Sequence, residues 1–172
     1  MVITVKPCFH WIGYHITTNF LQEGIEVIGI DNLSTNMAQH LYMYVGRNSN
    51  FQHFYDKESK HQHVHEGCDE LFLQYEGSSL TVEKNDTIIY QCTLPTLYGE
   101  WMPNPEASIT SEADMLQWVR EQDAVYIGDF INELFQEIRD DELPLSTDVN
   151  TGSPVTDHVV AVWKTIVQAS SR

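Results

Sequence analysis

The chain has 172 residues, with 9 Lys and Arg against 25 Asp and Glu, and so a formal net charge of −16 with its eight histidines neutral. This length fits one domain whose core needs no disulfide or metal, and a hydrophobic content of 42% excludes a disordered acidic tail. The shortage of basic residues predicts no binding to nucleic acid or to anionic membranes, because both depend on Lys and Arg that neutralise phosphates.

The cysteines and the N-terminus indicate a cytoplasmic protein. Cys8, Cys68 and Cys92 are odd in number and form no CxxC pair, so they predict neither a disulfide framework nor a zinc ribbon. The apolar start of the chain is too short for the core of a signal peptide, and no apolar run of about 18 residues follows it. We therefore expect a reducing compartment and no membrane segment.

The first half of the chain alternates between strand and helix patterns. Apolar residues at helical spacing from Trp11 to Leu21, ending at Gly24, separate two β-branched strand segments, Val2–Val5 and Ile25–Ile30. A strand–helix–strand unit of this kind predicts a right-handed crossover in a parallel sheet. The elements predicted next are a helix over 36–45 capped by Ser34 or Thr35, strands over Phe51–Phe54 and Glu70–Tyr75, and a polar, histidine-rich stretch between these strands.

The second half has one clear strand and then mainly helices. The elements predicted there are a strand over Thr87–Thr93, a loop over Leu94–Pro105, a helix opened by the Ser111 and Asp114 capping box and running through Arg120, a strand over Ala124–Ile127, a helix with Asp129 as N-cap, and a last helix over Val155–Gln168.

Four stretches in this order resemble the extended short-chain dehydrogenase/reductases, the family of NAD-dependent nucleotide-sugar epimerases and dehydratases. They are VKPCFHWIGYHITTNFLQEGIEVIGIDNLST, LPTLYGEWMPNP, DAVYIGDFINELF and VNTGSPVT. The resemblance implies a Rossmann-like, mostly parallel α/β sheet flanked by helices, a trimmed version of the epimerase fold. It would form one domain over 1–172, with a degenerate dinucleotide-binding half at 1–79 and a remnant of the substrate-binding half at 80–172.

The glycine loop departs from the family pattern GxxGxxG. Alignment on Gly13 places Pro7 at the first glycine and His10 at the second, so only the glycine that packs helix on strand is kept. Proline has no N–H to offer a phosphate, and His10 puts an imidazole where the pyrophosphate would lie. We therefore expect no cofactor, with NAD(P) as the weaker alternative.

Asp31 ends the second strand, where the family uses an acid to bind the adenosine ribose. Its other interpretation is structural, since an Asp before Asn-Leu-Ser-Thr can shape the turn into the next helix. Gly13 and Asp31 are thus the candidate cofactor-binding residues.

The catalytic pair of the family is missing. Its tyrosine is assisted by a lysine four residues later on the same helix face, and no tyrosine of this chain has lysine at that spacing. The strand and two helices that would carry the pair fall between Ser79 and Thr87, which is too short for them. The deletion would expose an apolar face or a sheet edge that a protein partner or a second copy could cover.

Two weaker candidate sites remain. Tyr98 and Gly99 match the family's substrate loop, although Glu100 replaces its proline, and a loop packed by Trp101 is the alternative. On a strand, His61, His63 and His65 would share one face and could bind a metal. The favoured interpretation is a solvated connection that happens to contain histidines, without a metal.

The sequence therefore predicts an epimerase-like protein without catalytic activity, kept as a binding, regulatory or assembly protein. The alternative is an NAD(P)-dependent epimerase or dehydratase with a rebuilt cofactor loop, and a distant one is a metal-binding module.

Overall fold

The computed structural model describes residues 1–63, 69–140 and 155–171. The chain folds as an α/β protein in two compact units, Met1–Thr93 and Leu94–Arg172. Within the described residues, no helix is long and apolar enough to cross a membrane.

The first unit is built on a six-stranded sheet. In chain order its elements are β1 (Val2–Lys6), α1 (Trp11–Gln22), β2 (Glu26–Ile30), α2 (Asn36–Val45), β3 (Phe51–Phe54), α3 (Lys57–His63), β4 (Glu70–Glu76), β5 (Ser79–Lys84) and β6 (Thr87–Thr93). The strand order is β3-β2-β1-β4-β5-β6, and the first four strands are parallel to one another. The strand β5 pairs antiparallel with β4, and β6 pairs antiparallel with β5. The strand order therefore reverses at β1, because β2 and β3 lie to one side of it and β4 to the other.

The predicted start of α2 is confirmed. Of the two capping candidates the structure selects Thr35, whose side-chain oxygen accepts a hydrogen bond from the N–H of Ala38 at 3.0 Å. Gly24 follows α1 with φ +75°, a left-handed conformation in which glycine has no Cβ to strain. Capping chemistry thus places both helices where the sequence predicts them.

The segment Ser79–Lys84, for which no element is predicted, forms β5. It pairs with β4 and then with β6 through a turn in which Asn85 and Asp86 both have positive φ, 50° and 60°. Two such residues fit a type I′ hairpin turn, whose twist matches that of the strands. The hairpin extends the first compact unit to Thr93, whereas the sequence-based division places 80–93 in the second half.

The histidine-rich stretch is partly helical. Its helix α3 is held to the sheet by Lys60, which is 6% exposed and donates to the Glu70 carboxylate; Thr4 donates to the same oxygen. The ammonium of Lys57 lies 4.0 Å from the centre of the Phe72 ring. Thr4, Glu70 and Phe72 share one face of the sheet, so a buried ion pair and a cation–π contact fasten α3 to that face.

The second unit contains a two-stranded parallel sheet and three helices. Its elements are β7 (Leu97–Tyr98), α4 (Glu112–Glu121), β8 (Val125–Tyr126), α5 (Ile127–Asp140) and α6 (Val155–Ser170). The cap of α4 is confirmed, since the Ser111 side chain accepts from the N–H of Asp114 at 3.2 Å. Asp129 is not an N-cap: α5 begins at Ile127, directly after β8, so Asp129 lies in its first turn.

We expect the ion pair beneath α3 to make stability depend on acid pH. Although burial opposes the shift, the hydrogen bonds from Lys60 and Thr4 lower the pKa of Glu70 from its ordinary 4.5. A lowered folded-state pKa adds stability that is present above pH 4.5 and lost as the pH falls through the folded value. In urea denaturation, Glu70→Gln should be less stable than wild type at pH 7, and the difference should shrink towards pH 3. Glu76→Gln, exposed at the end of the same strand, is the control; a pH-independent loss in Glu70→Gln would contradict the assignment.

Thr17 offers a second test of the core. It is 0% exposed on α1, and its hydroxyl has no hydrogen-bond partner among the described residues. Because Val keeps the shape and removes the unsatisfied group, Thr17→Val should raise the free energy of unfolding by about 1 kcal/mol. Thr18→Val is the matched control, since the Thr18 hydroxyl donates to the carbonyls of Tyr14 and His15. Loss of stability in Thr17→Val would mean that its hydroxyl is hydrogen-bonded.

Candidate functional site

The carboxyl ends of β1 and β4 form the place where a ligand is expected. In open α/β sheets, ligands bind outside the carboxyl ends of the strands at the point where the strand order reverses, and here that point lies between β1 and β4. The loop from Pro7 to His10 leaves the end of β1 and enters α1, and Tyr75 lies near the end of β4. These residues, with Asp31 just after β2, make up the candidate site.

Gly13 lies where the loop and α1 are in closest contact. A Cβ at this position would overlap the carbonyl oxygen of Pro7 and crowd the Cα of Cys8 at 3.3 Å. Any other residue would push the loop off the helix, so this glycine has the close-packing role predicted for it. The Lys6–Pro7 peptide bond is cis.

His10 closes the first turn of α1. It has an extended backbone (φ −76°, ψ 144°), and its Nδ1 accepts a long hydrogen bond of 3.4 Å from the N–H of Ile12. Its imidazole lies over the ring of Tyr75, with 5.0 Å between centroids and 30° between planes. A phosphate would have to compete with His10 for that N–H, so the His10 side chain occupies the helix end.

The side chain of Asp31 is hydrogen-bonded to nearby backbone N–H groups. Its Oδ2 accepts from the N–H of Phe9 and its Oδ1 from the N–H of Asn32, both at 2.8 Å. Its carbonyl oxygen accepts from the Nε2 of His53, also at 2.8 Å. Both carboxylate oxygens therefore hold loops in place, as the structural interpretation of this residue requires.

His10, Cys8 and Tyr75 stay uncharged near neutral pH, beside the Asp31 carboxylate. Burial lowers the pKa of His10, against an opposing effect of the Asp31 charge. Burial also raises the pKa of the Cys8 thiol, as does Asp31, and burial raises the pKa of Tyr75. Cys8 is therefore a thiol rather than a nucleophilic thiolate.

In the second unit, Tyr98 belongs to a polar cluster that the sequence does not predict, and Gly99 follows it with its carbonyl accepting from the N–H of Met102 at 3.3 Å. Tyr126 at the end of β8 donates its hydroxyl to both oxygens of Glu100 at 3.0 Å and stacks on His158 with 3.7 Å between ring centroids. The ring of Tyr98, 2% exposed, lies 5.5 Å from that of Tyr126. Parallel pairing of β7 with β8 places the two tyrosines opposite each other, which no local pattern reveals.

Neither tyrosine of this cluster is an acid near neutral pH. Burial, together with the charges of Asp129 and Glu100, raises the pKa of Tyr98 to about 12. Burial and Glu100 raise the pKa of Tyr126 further. Burial, together with the carboxylates of Glu100 and Asp129, therefore keeps protons on both phenols.

The histidine cluster lacks the geometry that its metal hypothesis assumes. His61 and His63 lie on α3, where residues two apart point in different directions, rather than on a strand that would align them. His65 and Cys68 lie outside the described residues. Across 1–63, 69–140 and 155–171, no group of three His, Cys, Asp or Glu side chains is arranged to hold a metal ion.

Comparison of the chain with protein-family models, with curated proteins and with solved structures finds no match.

We expect Asp31 to contribute to stability through its two backbone partners. Asp31→Ala leaves the N–H groups of Phe9 and Asn32 without acceptors and should lower the free energy of unfolding by about 1–2 kcal/mol, whereas Asp31→Asn keeps one oxygen and should cost less. Asp69→Ala is the control, because its exposed ion pair with Lys84, at 3.7 Å, contributes little. Equal stability of Asp31→Ala and wild type in urea denaturation would show that this carboxylate does not hold the loop.

Proposed function

We propose that the chain is a Rossmann-like, degenerate relative of the NAD-dependent nucleotide-sugar epimerases and dehydratases, which has lost catalysis and persists as a binding, regulatory or assembly protein. The observation that carries the proposal is the state of the cofactor loop. Pro7 and His10 replace two of its glycines, His10 occupies the helix end, and both oxygens of Asp31 are bonded to backbone. The groups that would hold a dinucleotide are therefore engaged within the chain.

The relationship itself is supported by topology and by one close contact. Four parallel strands in the order β3-β2-β1-β4, joined by α1, α2 and α3, agree with the first half of a Rossmann fold. The overlap that a side chain at Gly13 would cause agrees with the third glycine of the family loop. Asp31 follows β2 at the position of the family's acid.

The loss of catalysis is supported by the state of the tyrosines. A tyrosine that gives up its proton in catalysis needs a lowered pKa, but each described tyrosine with a clear shift has a raised one: Tyr14, Tyr75, Tyr98 and Tyr126. For Tyr14 the pKa rises to about 12, through burial and the neighbouring Tyr44. Burial raises the pKa of all four phenols, and carboxylates add to this at Tyr98 and Tyr126, whereas catalysis would need a lowered pKa.

The proposal includes a protein partner or a second copy of the chain, and excludes nucleic acid. Ile88 and Ile89 on β6, the last strand of the sheet, are 58% and 41% exposed. The formal charge of −16 supports the exclusion.

We expect NAD and NADP to bind with dissociation constants weaker than about 10 µM in calorimetric titration. The double variant Pro7→Gly/His10→Gly should bind NAD more tightly than wild type, because Pro7→Gly restores a backbone N–H to the pyrophosphate site and His10→Gly removes the imidazole. Pro103→Gly, an exposed proline in the second unit, is the control for the backbone change and should leave affinity unchanged.

Tight NAD binding by the wild type would overturn the proposal in favour of an enzyme with a rebuilt cofactor loop. If the double variant folds but gains no affinity for NAD, the rest of the pocket does not accept a dinucleotide. The altered loop alone then does not explain the weak binding of NAD by the wild type.

A further inference from the structure

His10 and Tyr75 form a pair of side chains that meet where the strand order reverses. His10 comes from the loop after β1 and Tyr75 from the end of β4, and their rings lie 5.0 Å apart. Both residues are half-buried. The strands β1 and β4 that position them are neighbours in the sheet, although most of the first unit lies between the two residues in sequence.

Both members of the pair are hydrogen-bond donors with unused capacity. The Nδ1 of His10 accepts from the N–H of Ile12, so the neutral imidazole carries its proton on Nε2. Burial keeps this ring neutral by lowering its pKa, and it keeps the Tyr75 phenol protonated by raising its pKa. Among the described residues, neither His10 Nε2 nor the Tyr75 hydroxyl has a hydrogen-bond partner. Two donors on neighbouring rings, with 5.0 Å between the ring centroids, suit an oxygen acceptor supplied from outside.

The charges around the pair favour an uncharged acceptor over an anion. The Asp31 carboxylate acts on His10 through its negative charge, which raises the imidazole pKa against the effect of burial. Lys6, the lysine nearest to the loop in sequence, is in register with Gln74 and so points to the opposite face of the sheet from Tyr75. A phosphate would meet two neutral donors beside a carboxylate, whereas a carbonyl oxygen needs no counter-charge.

We propose that His10 and Tyr75 bind the carbonyl oxygen of an uncharged organic ligand, through His10 Nε2–H and the Tyr75 hydroxyl. This inference deepens the proposed function and rests on it, because the crevice must be free of a dinucleotide for such a ligand to enter. On this inference His10, at the position of a family glycine, does more than prevent dinucleotide binding, because it also binds a ligand of its own.

Three probes that share one ring and differ in the head group test the inference: benzamide, benzoate and phenyl phosphate. Each is titrated into the full-length protein while the ring nitrogens of His10 are followed by ¹⁵N NMR. We expect saturable shifts at His10 Nε2 with benzamide and weaker binding of the two anions. Tyr75→Phe, which removes only the hydroxyl, should weaken benzamide binding roughly fivefold, the loss expected for one hydrogen bond.

Further variants separate binding from folding. His10→Ser keeps a capping oxygen for α1 but lacks Nε2, so it should fold and lose benzamide binding. Tyr55→Phe, in which the altered tyrosine is 62% exposed just after β3, is the matched control and should bind as wild type does.

Two results would overturn the inference. One is the absence of saturable shifts at His10 with all three probes, and the other is tighter binding of phenyl phosphate or benzoate than of benzamide. NAD titrated into the same sample reports on the proposed function separately: tight binding of NAD contradicts that function, whereas benzamide shifts that depend on Tyr75 support the carbonyl site whatever NAD does.

Discussion

The first unit depends on the contact between the loop after β1 and the first turns of α1. Gly13 has no side chain, so the Pro7 carbonyl can lie against the helix where a Cβ would otherwise be. Asp31 fixes the same loop from the other side through the N–H of Phe9. With the loop held at both ends, His10 has to lie at the helix terminus, and its ring reaches Tyr75 on the neighbouring strand. The position of the candidate site therefore follows from one close approach of backbone to backbone.

The same arrangement explains why the His10–Tyr75 pair is uncharged in a chain with a formal charge of −16. A buried imidazole and a buried phenol both favour their uncharged forms, because transfer of a charge out of water is costly. Among the described residues, the charge with a clear effect on His10 is that of Asp31, and it opposes burial without overcoming it. The pair thus presents uncharged hydrogen-bond donors beside one carboxylate, unlike a site built to hold a pyrophosphate.

The second unit also contains buried phenols that stay protonated. Both carboxylate oxygens of Glu100 accept from one phenol, that of Tyr126, and the ring of this tyrosine stacks on His158. Burial and the neighbouring carboxylates raise the pKa of Tyr126 and of Tyr98, so both phenols keep their protons. The cluster joins β7, β8 and α6, so it organises the unit and offers no group able to remove a proton as a phenolate.

Local patterns determined most of the secondary structure, because capping and periodicity act over a few residues. Thr35 and Ser111 bond to backbone N–H groups three positions on, and the apolar spacing of α1 needs no information from elsewhere in the chain. The role of Gly13 also followed from sequence, since only glycine tolerates that approach. Tertiary structure alone decided three things: that Ser79–Lys84 becomes a strand, because β4 supplies its hydrogen bonds; that Asp31 holds the loop at Phe9; and that His10 meets Tyr75. The Asp31–Phe9 and His10–Tyr75 contacts join residues far apart in sequence, and sheet register, which no short window of sequence contains, brings their strands together. The strand β5 pairs with β4 directly before it, and this partner rather than its own pattern makes it a strand.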